Sequence, residues 1–355
     1  MNLAVVSLGK KSSLAIVREA KNYFDEAENL DIRKIEVHTE QKKIQVWYKG
    51  MEMDDYNCVY IRGSYRYAFL QRSMTEALIN KTYMPFKPYS FTIAHNKFLT
   101  LLELQKKNVP IPTTYLAATL SGAKKILESI NYPVIMKIPE GTQGKGVLFA
   151  DSAASAKSIL DTLDVFKQPY IIQEYIDTDA TDVRALVVGD EIIASYRRKA
   201  AGQEVRANIH LGGVGEECKL DKETEETALK AARAVNADIC AVDMLEGNET
   251  KVIEINLSPG LQGAEKATGK NLAKVIAEYL YKRATEFKET KKKDDYNKIR
   301  NEFNINENKE IITNLNIKNG IIKLPEIITK ITKFKEEDDV VLKADKGKLV
   351  IKKVM

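Results

Sequence analysis

The sequence contains little cysteine, and this shortage excludes two kinds of site. Its 355 residues include only Cys58, Cys218 and Cys240, which lie far apart and form no CxxC pair. Disulfide frameworks and structural zinc sites need paired or closely spaced cysteines. We therefore expect neither, and a reducing, cytoplasmic location fits this cysteine usage.

Long apolar runs are also missing. The apolar segments, such as residues 3–8 and 170–172, have the length of strands, whereas a membrane-spanning helix needs about 20 apolar residues. The N-terminus enters a strand-like run directly, so we expect no signal peptide. The sequence therefore predicts a protein that has no membrane partner.

Histidine is scarce as well. His38, His95 and His210 are the only three histidines, and neither Cys nor Ser lies next to any of them. Because a serine or cysteine nucleophile needs a nearby base, we assign these histidines to surface or packing positions and give them no catalytic role.

The composition that remains is typical of a soluble multidomain protein. Hydrophobic residues make up 44% of the chain, which is enough for two or three packed domains. Charged residues make up 30%, and the formal net charge is only +5. So mild an excess does not by itself imply nucleic acid, and it also suits an anionic small substrate.

Strand-like and helix-like segments alternate and predict an α/β (α+β) protein in four parts. Residues 1–95 predict a parallel sheet with crossover helices. Residues 96–283 contain helices, a glycine-rich loop between two strands and several paired strands. Residues 284–308 are rich in Lys, Glu, Asp and Asn and predict a charged linker or helix extension, while residues 309–355 predict a small β-rich unit.

A glycine-rich loop follows the strand that ends at Lys137. The loop residues are Glu140, Gly141, Thr142, Gln143, Gly144, Lys145 and Gly146. Glycines allow a backbone loop to lie close to phosphates and to donate its N–H groups. No GK[ST] sequence opens a helix here, so this is not a Walker loop. The alternative interpretation is a flexible hairpin between two strands.

A set of hard oxygen ligands occurs on two consecutive strands. Glu254 and Asn256 are two residues apart, so their side chains share one face of a strand. Asp243 lies on the preceding strand and is expected opposite them after a short turn. Two carboxylates and an amide suit Mg²⁺, which also takes nucleotide phosphates. The alternative is a polar, solvated hairpin face.

Polar residues also lie at the end of another strand. Gln173, Glu174, Tyr175 and Ile176 end a strand whose free backbone groups are suited to hold an adenine, and Asp182 is placed to accept from a ribose hydroxyl. An ordinary strand followed by an acidic loop is the alternative.

A basic cluster follows these residues. It consists of Arg184, Arg197, Arg198, Lys199 and Arg206, with Asn208 nearby. Arginine binds carboxylate and phosphate in a bidentate manner, and a transferring phosphoryl group needs positive charge. The alternative is a solvated basic hairpin.

The order of these motifs resembles one family. Lys97 in a helix is followed in sequence by EGTQGKG, QEYI, TDVRALVVGD, RRKA, RANIHLGG, AVDML and VIEINLSPGLQGAEKATG. Together they resemble the ATP-grasp fold and, within it, the RimK-like ligases, over roughly residues 90–280. Residues 1–90, with Tyr60-Ile-Arg62-Gly63, resemble the N-terminal pre-ATP-grasp domain of that family.

The resemblance implies a role for each matching position. Lys97, Lys137 and residues 140–146 match the nucleotide lysines and the phosphate loop. Glu174 and Tyr175 match the adenine hinge, and we expect Gln173 and Ile176 beside them to contact the nucleotide as well. Asp182 matches the ribose contact, and Arg206 and Asn208 match residues near the phosphates. Asp243, Glu254 and Asn256 match the ligands of Mg²⁺ or Mn²⁺, with two ions expected. Arg184 and Arg198 match basic residues that hold the acyl substrate or the intermediate, and together with Arg206 they are the predicted catalytic residues.

The resemblance also implies a reaction. A substrate carboxylate attacks the γ-phosphate of ATP, and an amine, commonly that of glutamate, then attacks the acyl-phosphate. The sequence leaves the carboxylate acceptor open among a protein tail, a carrier protein and a cofactor. The alternative function is a nucleotide-binding regulator that performs no ligation.

Residues 309–355 depart from this family. Residues 317–328 resemble the AbrB-type swapped-hairpin module, which pairs with a second copy and often occurs in DNA-binding regulators. So small a unit favours dimerisation, and we therefore expect a homo-oligomer, a dimer or tetramer. DNA binding is possible but less favoured, because Glu336–Asp339 offset the lysines of this segment.

Overall fold

The computed structural model describes residues 1–355 apart from 42, 54–55, 142–145, 200–213, 303–315, 319–320, 325–327, 329–331, 333, 336 and 354–355, and it describes the backbone alone at 214, 295–302 and 316–318. The chain divides into two units, Met1–Lys291 and Lys292–Met355. In the described part of the chain, no helix is both long and apolar enough to cross a membrane. All three cysteines are buried and free.

The N-terminal module, residues 1–95, is built on a parallel sheet, as predicted. Its elements are β1 (Asn2–Ser7), α1 (Lys11–Ala20), β2 (Glu26–Asp31), β3 (Ile35–Glu40), β4 (Lys43–Tyr48), β5 (Met51–Glu52), β6 (Cys58–Ile61), α2 (Ala68–Leu78) and α3 (Pro88–Ala94). The sheet has the order β2-β1-β6, and both pairings are parallel. The apolar run of β1 is fully buried because helices and neighbouring strands cover it, which is typical of a central parallel strand. A second, antiparallel sheet has the order β3-β4-β5.

The middle of the chain begins with a four-stranded lobe. Its elements are α4 (Lys97–Lys106), β7 (Thr114–Tyr115), α5 (Leu120–Ser129), β8 (Val134–Lys137), β9 (Val147–Ala150), α6 (Ala153–Val165) and β10 (Ile171–Glu174). The antiparallel sheet has the order β7-β10-β8-β9. Leu127, Met136, Leu160 and Ile172 belong to a separate small hydrophobic core between this sheet and its helices. The glycine-rich loop connects β8 to β9, as the sequence predicted.

A five-stranded lobe follows. Its elements are β11 (Thr181–Val188), β12 (Glu191–Lys199), β13 (Val214–Glu217), α7 (Lys222–Ala234), β14 (Ile239–Glu246), β15 (Thr250–Asn256), α8 (Gln262–Thr268) and α9 (Leu272–Glu302). The antiparallel sheet has the order β13-β12-β11-β14-β15. Its core is continuous with that of the N-terminal module, so the boundary expected at residue 95 lies within one hydrophobic core.

Helix α9 continues through the charged segment that begins at residue 284, so residues 284–302 form a helix extension. Leu272, Ile276, Leu280 and Ala284 recur every four residues and are fully buried, which fixes one face of the helix on the core.

The second unit contains two hairpins in its described part. They are formed by β16 (Asn316–Lys318) with β17 (Ile321–Lys323) and by β18 (Val340–Asp345) with β19 (Lys348–Lys353). The predicted β-rich character of this unit is confirmed. The resemblance to a swapped-hairpin module stays a prediction.

Candidate active site

One cleft of about 510 Å³ collects most of the described candidate residues. Its walls come from the N-terminal module, the four-stranded lobe and the five-stranded lobe. The sequence-predicted residues on the cleft lining are Lys97, Lys137, Gly141, Gln173, Glu174, Tyr175, Ile176, Asp182, Arg184, Arg198, Asp243, Glu254 and Asn256. Lys97 and Lys137 therefore line the same cleft as Asp243, Glu254 and Asn256.

Two lysines mark one part of the cleft. Helix α4 begins at Lys97 because the Asn96 side chain accepts from the backbone N–H groups of Phe98 and Leu99, both at 3.1 Å. Lys97 Nζ donates to the Gly141 carbonyl at 3.0 Å, and Lys137 Nζ donates to Gln173 Oε1 at 2.6 Å. Neither bond uses a carboxylate, so both ammonium groups keep the capacity to bind an anion.

Burial of Lys137 changes its acidity. Desolvation lowers the pKa of the Lys137 ammonium to about 8, and the charge of Lys97 lowers it further, whereas Glu254 opposes the shift. The negative charge of a phosphate group beside Lys137 would favour the ammonium form and raise this pKa again.

The loop itself is described only at its ends. Glu140 is exposed, and Gly141 and Gly146 flank the segment, whereas Thr142, Gln143, Gly144 and Lys145 lie outside the described residues. Gly146 has φ +78°, and a Cβ there would lie 2.9 Å from Ile138 Cδ1. Only glycine fits this turn without displacing Ile138.

The end of β10 forms another part of the cleft. Glu174 is the last residue of the strand, and its carboxylate accepts from Lys251 Nζ at 2.7 Å and from the Thr113 backbone N–H at 3.0 Å. The paired register of β10 ends at Glu174, so Tyr175 and Ile176 lie beyond the ladder. Their backbone groups therefore lie outside this pairing, and their role as an adenine hinge stays a prediction.

We call Asp243, Glu254 and Asn256 the acidic set, and its residues lie on two paired strands, as predicted. Asp243 on β14 lies directly opposite Glu254 on β15, and Ala241 lies opposite Asn256. Glu254 forms no hydrogen bond or ion pair within the described chain. Asn256 Oδ1 accepts from the Ser258 backbone N–H at 2.9 Å, which orients the amide and leaves its oxygen a second lone pair.

Two arginine–aspartate pairs lie beside this acidic set. Arg184 contacts both oxygens of Asp243 at 2.5 Å, and Arg198 contacts those of Asp182 at 2.5 and 2.7 Å. Arg198 also lies 3.0 Å from Asp243. Burial alone would raise the pKa of Asp243, but the two guanidinium groups bring it down to about 2. Burial raises the pKa of Asp182 against the attraction of Arg198.

These ion pairs join residues that the sequence assigned to different ligands. Asp182 was predicted to contact a ribose and Arg198 an acyl group, yet in this structure they bind each other. Strand β11 lies between β12 and β14. This strand order brings the side chains of both ion pairs together, namely Asp182, Arg184, Arg198 and Asp243. Arg206 and Asn208, expected near the phosphates, lie outside the described residues.

The N-terminal module contributes a wall that sequence reasoning did not assign to a ligand. The Gly63 backbone N–H donates to Ser258 Oγ at 2.9 Å, and the Arg62 guanidinium donates to the Pro259 carbonyl at 2.6 Å. Ser258 also orients Asn256, so this wall adjoins the acidic set. The sequence signal for this wall was Tyr60-Ile-Arg62-Gly63, which places an arginine directly after a buried strand. An arginine is almost never fully buried unless it is paired.

The donor set fits a divalent cation. No described group contains three or more His, Cys, Asp or Glu side chains suited to a metal, and two carboxylates with one amide form an incomplete oxygen shell. Mg²⁺ accepts such a shell when phosphate oxygens and waters complete it. Asp243, Glu254 and Asn256 would hold the ion, and Lys97 and Lys137 would hold the phosphates.

Comparison with known proteins identifies the family of this chain. Residues 94–280 match the RimK-like ATP-grasp domain. A protein named "Probable alpha-L-glutamate ligase" from Methanococcoides burtonii is 30% identical over 288 residues, which cover 79% of this chain and 96% of the relative. A protein of the same name from Chromohalobacter salexigens is 31% identical over 291 residues, covering 80% and 96%.

Solved structures share the fold. The ATP-grasp ligase PsnB, complexed with minimal precursor, Mg and ADP, aligns with a TM-score of 0.62 at 15% identity over 80% of this chain and 98% of its own. The D-cycloserine synthetase DcsG aligns with a TM-score of 0.60 at 15% identity over 80% and 100%.

The two lobes and the cleft between them define an ATP-grasp fold. The chain belongs to the RimK-like ATP-grasp family. It is an ATP-dependent ligase that forms carbon–nitrogen bonds, as the sequence predicted.

Proposed function

We propose that this ligase joins an amino acid, with glutamate as the first candidate, to a carboxylate acceptor through an acyl-phosphate. The supporting observation is that one cleft contains two lysines that pair with no carboxylate among the described residues, an incomplete oxygen shell and two arginines. Activation of a carboxylate by ATP needs these three features together. The protein names of the relatives support glutamate as the amine.

In this proposal, the side chains hold and position charge. Lys97 and Lys137 would bind phosphate oxygens, and Asp243, Glu254 and Asn256 would hold two Mg²⁺ or Mn²⁺ ions. When bound, such a cation neutralises the phosphate oxygens. No covalent nucleophile on the protein is required.

The arginine–aspartate pairs supply the charge for the acyl intermediate. Arg184 contacts both oxygens of Asp243, and the same carboxylate would be a ligand of a bound cation. Arg184 and Arg198 both line the cleft, and either guanidinium would bind acyl-phosphate oxygens in a bidentate manner.

The test measures ADP release from purified protein with ATP, Mg²⁺, labelled glutamate and cell extract, and mass spectrometry identifies the compound that gains mass. Glu254→Gln and Lys137→Met should each abolish release that depends on glutamate and extract. Glu249→Gln, at the exposed turn of the same hairpin, and Lys125→Met, on the exposed face of α5, are the matched controls. Release that survives both site variants would refute the assignment.

A nucleotide-binding regulator with a DNA-binding tail is the second candidate. Lys343, Lys348 and Lys352 share one exposed face of the β18–β19 hairpin, which favours contact with phosphates. This candidate predicts ATP binding without turnover, and a salt-sensitive shift of duplex DNA by the full chain.

We also infer that the second unit pairs with another copy. The opposite face of the hairpin carries Val340, Leu342 and Leu349, which are 40%, 61% and 45% exposed. A two-stranded hairpin is marginal alone, so an apolar face of this kind gains stability by association. Sedimentation of the full chain should show a dimer or tetramer that Leu342→Lys weakens and that Val341→Lys, on the lysine-bearing face, leaves intact.

A further inference from the structure

Lys251 forms an ion pair that joins the two lobes. The residue lies on β15 of the five-stranded lobe, and its Nζ donates to Glu174 Oε1 at 2.7 Å, at the end of β10 in the four-stranded lobe. The two side chains are 26% and 35% exposed, so solvent screens this pair less than it screens a pair on the open surface. The pair therefore ties together two strands that belong to different sheets.

A β-bulge brings Lys251 onto the face of β15 that carries Glu254. Residues three apart on a regular strand point to opposite faces. Here the register shifts by one residue after the Asp243–Glu254 pair, which leaves Ile253 as an extra residue. Lys251 then lies opposite Leu245, two residues after Asp243 on the same face of β14. Without the bulge, Lys251 would lie on the opposite face from Glu254.

The Glu174 carboxylate is also held by the connection between α4 and β7. The Thr113 N–H donates to Glu174 Oε1 at 3.0 Å, and the Thr113 carbonyl accepts from the Glu174 N–H at 2.9 Å. The Pro110 carbonyl accepts from the Val252 N–H at 2.9 Å, next to Lys251. Burial would raise the pKa of Glu174, but Lys251 and Thr113 hold it below its ordinary value. Glu174 is therefore fixed as a carboxylate where the predicted hinge begins.

The hydrophobic cores do not fix the two lobes to each other. Leu127, Met136 and Ile172 belong to a small core inside the four-stranded lobe, whereas the core of the five-stranded lobe is continuous with the N-terminal module. No described residue belongs to both clusters. Polar contacts between the lobes therefore contribute to the spacing between the predicted hinge and the acidic set.

We propose that Lys251 is a positioning residue, which sets the spacing between the predicted adenine hinge at Glu174 and Tyr175 and the acidic set, so that both ends of one nucleotide are held together. Lys251 is not among the described residues that line the cleft, so it acts through Glu174 rather than by touching a ligand. The inference rests on the proposed roles of the hinge and the acidic set, and it adds a residue that couples them.

The affinity that Mg²⁺ adds to nucleotide binding measures this coupling without turnover. ADP is titrated by calorimetry into the full chain with Mg²⁺ and again with EDTA, and the ratio of the two Kd values gives the gain from Mg²⁺. Without the cation, the base and the lysines account for binding, whereas Mg²⁺ engages the acidic set as well. The gain therefore depends on how well the two regions are pre-organised.

Lys251→Met should reduce the gain about threefold to tenfold and change the Kd in EDTA less than about twofold. Adding Glu174→Met should cause no larger loss than Glu174→Met alone, because both changes remove one interaction. Lys251→Arg keeps a cation that donates to the carboxylate, and it should retain most of the gain. Lys157→Met is the matched control. It removes the 3.0 Å pair with Glu128 between α6 and α5 of the four-stranded lobe and should leave the gain unchanged.

Two outcomes in the variants overturn the inference. One is equal weakening of ADP binding by Lys251→Met with and without Mg²⁺, which would limit Lys251 to shaping the hinge. The other is an equal reduction of the gain in Lys157→Met. Lys251→Gln keeps the test valid if Lys251→Met fails to fold. A wild-type protein that gains nothing from Mg²⁺ would refute the proposed acidic set together with this inference, whereas a full gain in both the wild type and Lys251→Met would refute the positioning role alone.

Discussion

Nucleotide binding should be accompanied by proton uptake at Lys137. The side chain is half-buried, and its ammonium donates to the neutral Gln173 Oε1 at 2.6 Å. Burial lowers the pKa of Lys137 to about 8, and Lys97 contributes in the same direction. A triphosphate brings opposite charge to this group and should return its pKa to the ordinary range for lysine, well above 8.

The size of the effect follows from the two pKa values. At pH 8 about half of the free protein carries a neutral Lys137, so binding should take up about 0.5 proton per nucleotide, and at pH 7 less than about 0.1. The phosphates of the nucleotide add little at pH 8, because the second pKa of a phosphate group is about 6.

Calorimetry in buffers of different ionisation enthalpy measures this uptake. A non-hydrolysable ATP analogue with Mg²⁺ should be titrated at pH 7 and pH 8 into the wild-type protein and Lys137→Arg. Arginine keeps the cation but does not titrate in this range, so the variant should bind with no uptake. Uptake that is the same at both pH values, or that persists in Lys137→Arg, would refute the reasoning.

Two further predictions concern stability. Burial lowers the pKa of His95 to about 4. As the pH falls below about 6.5, the unfolded chain therefore binds a proton at His95 before the folded chain does. The free energy of unfolding should fall toward pH 4 by up to about 3 kcal/mol for this reason. Urea denaturation of His95→Gln should show a smaller loss, and an unchanged loss would contradict the assignment. Gly189 and Gly269 have similar left-handed φ values of +64° and +68°, but only at Gly189 would a Cβ meet a side chain, 2.6 Å from Tyr279 Cε2. Substitution by alanine should lower the free energy of unfolding by about 1–2 kcal/mol at either site, and by about 1–3 kcal/mol more at Gly189. Equal losses for the two variants in thermal denaturation would contradict this, because they would show that Tyr279 moves aside freely.

Local patterns were sufficient to predict the elements that carry the lysines and the metal-type ligands. The strands around the glycine-rich loop and the β14–β15 hairpin are joined by short connections, so their pairing follows from sequence proximity. Asp243 therefore lies opposite Glu254 as expected. Family membership also followed from the ordered motifs, which few unrelated chains would share.

Some missed elements had readable signals. Helices α5 and α6 were not predicted, although Thr119 and Ser152 cap them by accepting from Gly122 N–H at 3.1 Å and Ser155 N–H at 3.3 Å. Strand β2 was missed for a physical reason. Its sequence is largely polar, with only Ala27 and Leu30 buried, and its place beside β1 depends on long-range pairing.

The electrostatic state of the site depends on such long-range pairing as well. Arg184 and Asp243 are far apart in sequence and become neighbours only because β11 inserts between β12 and β14. Motif spacing assigns Asp243 to a metal and Arg184 to a substrate, but it does not show that the two groups neutralise each other before either ligand arrives. A buried carboxylate would be costly without a cation. The Arg184 guanidinium therefore stabilises the buried Asp243 carboxylate, so the charge balance at a predicted metal ligand depends on a partner that only the pairing of β11 with β14 brings into contact.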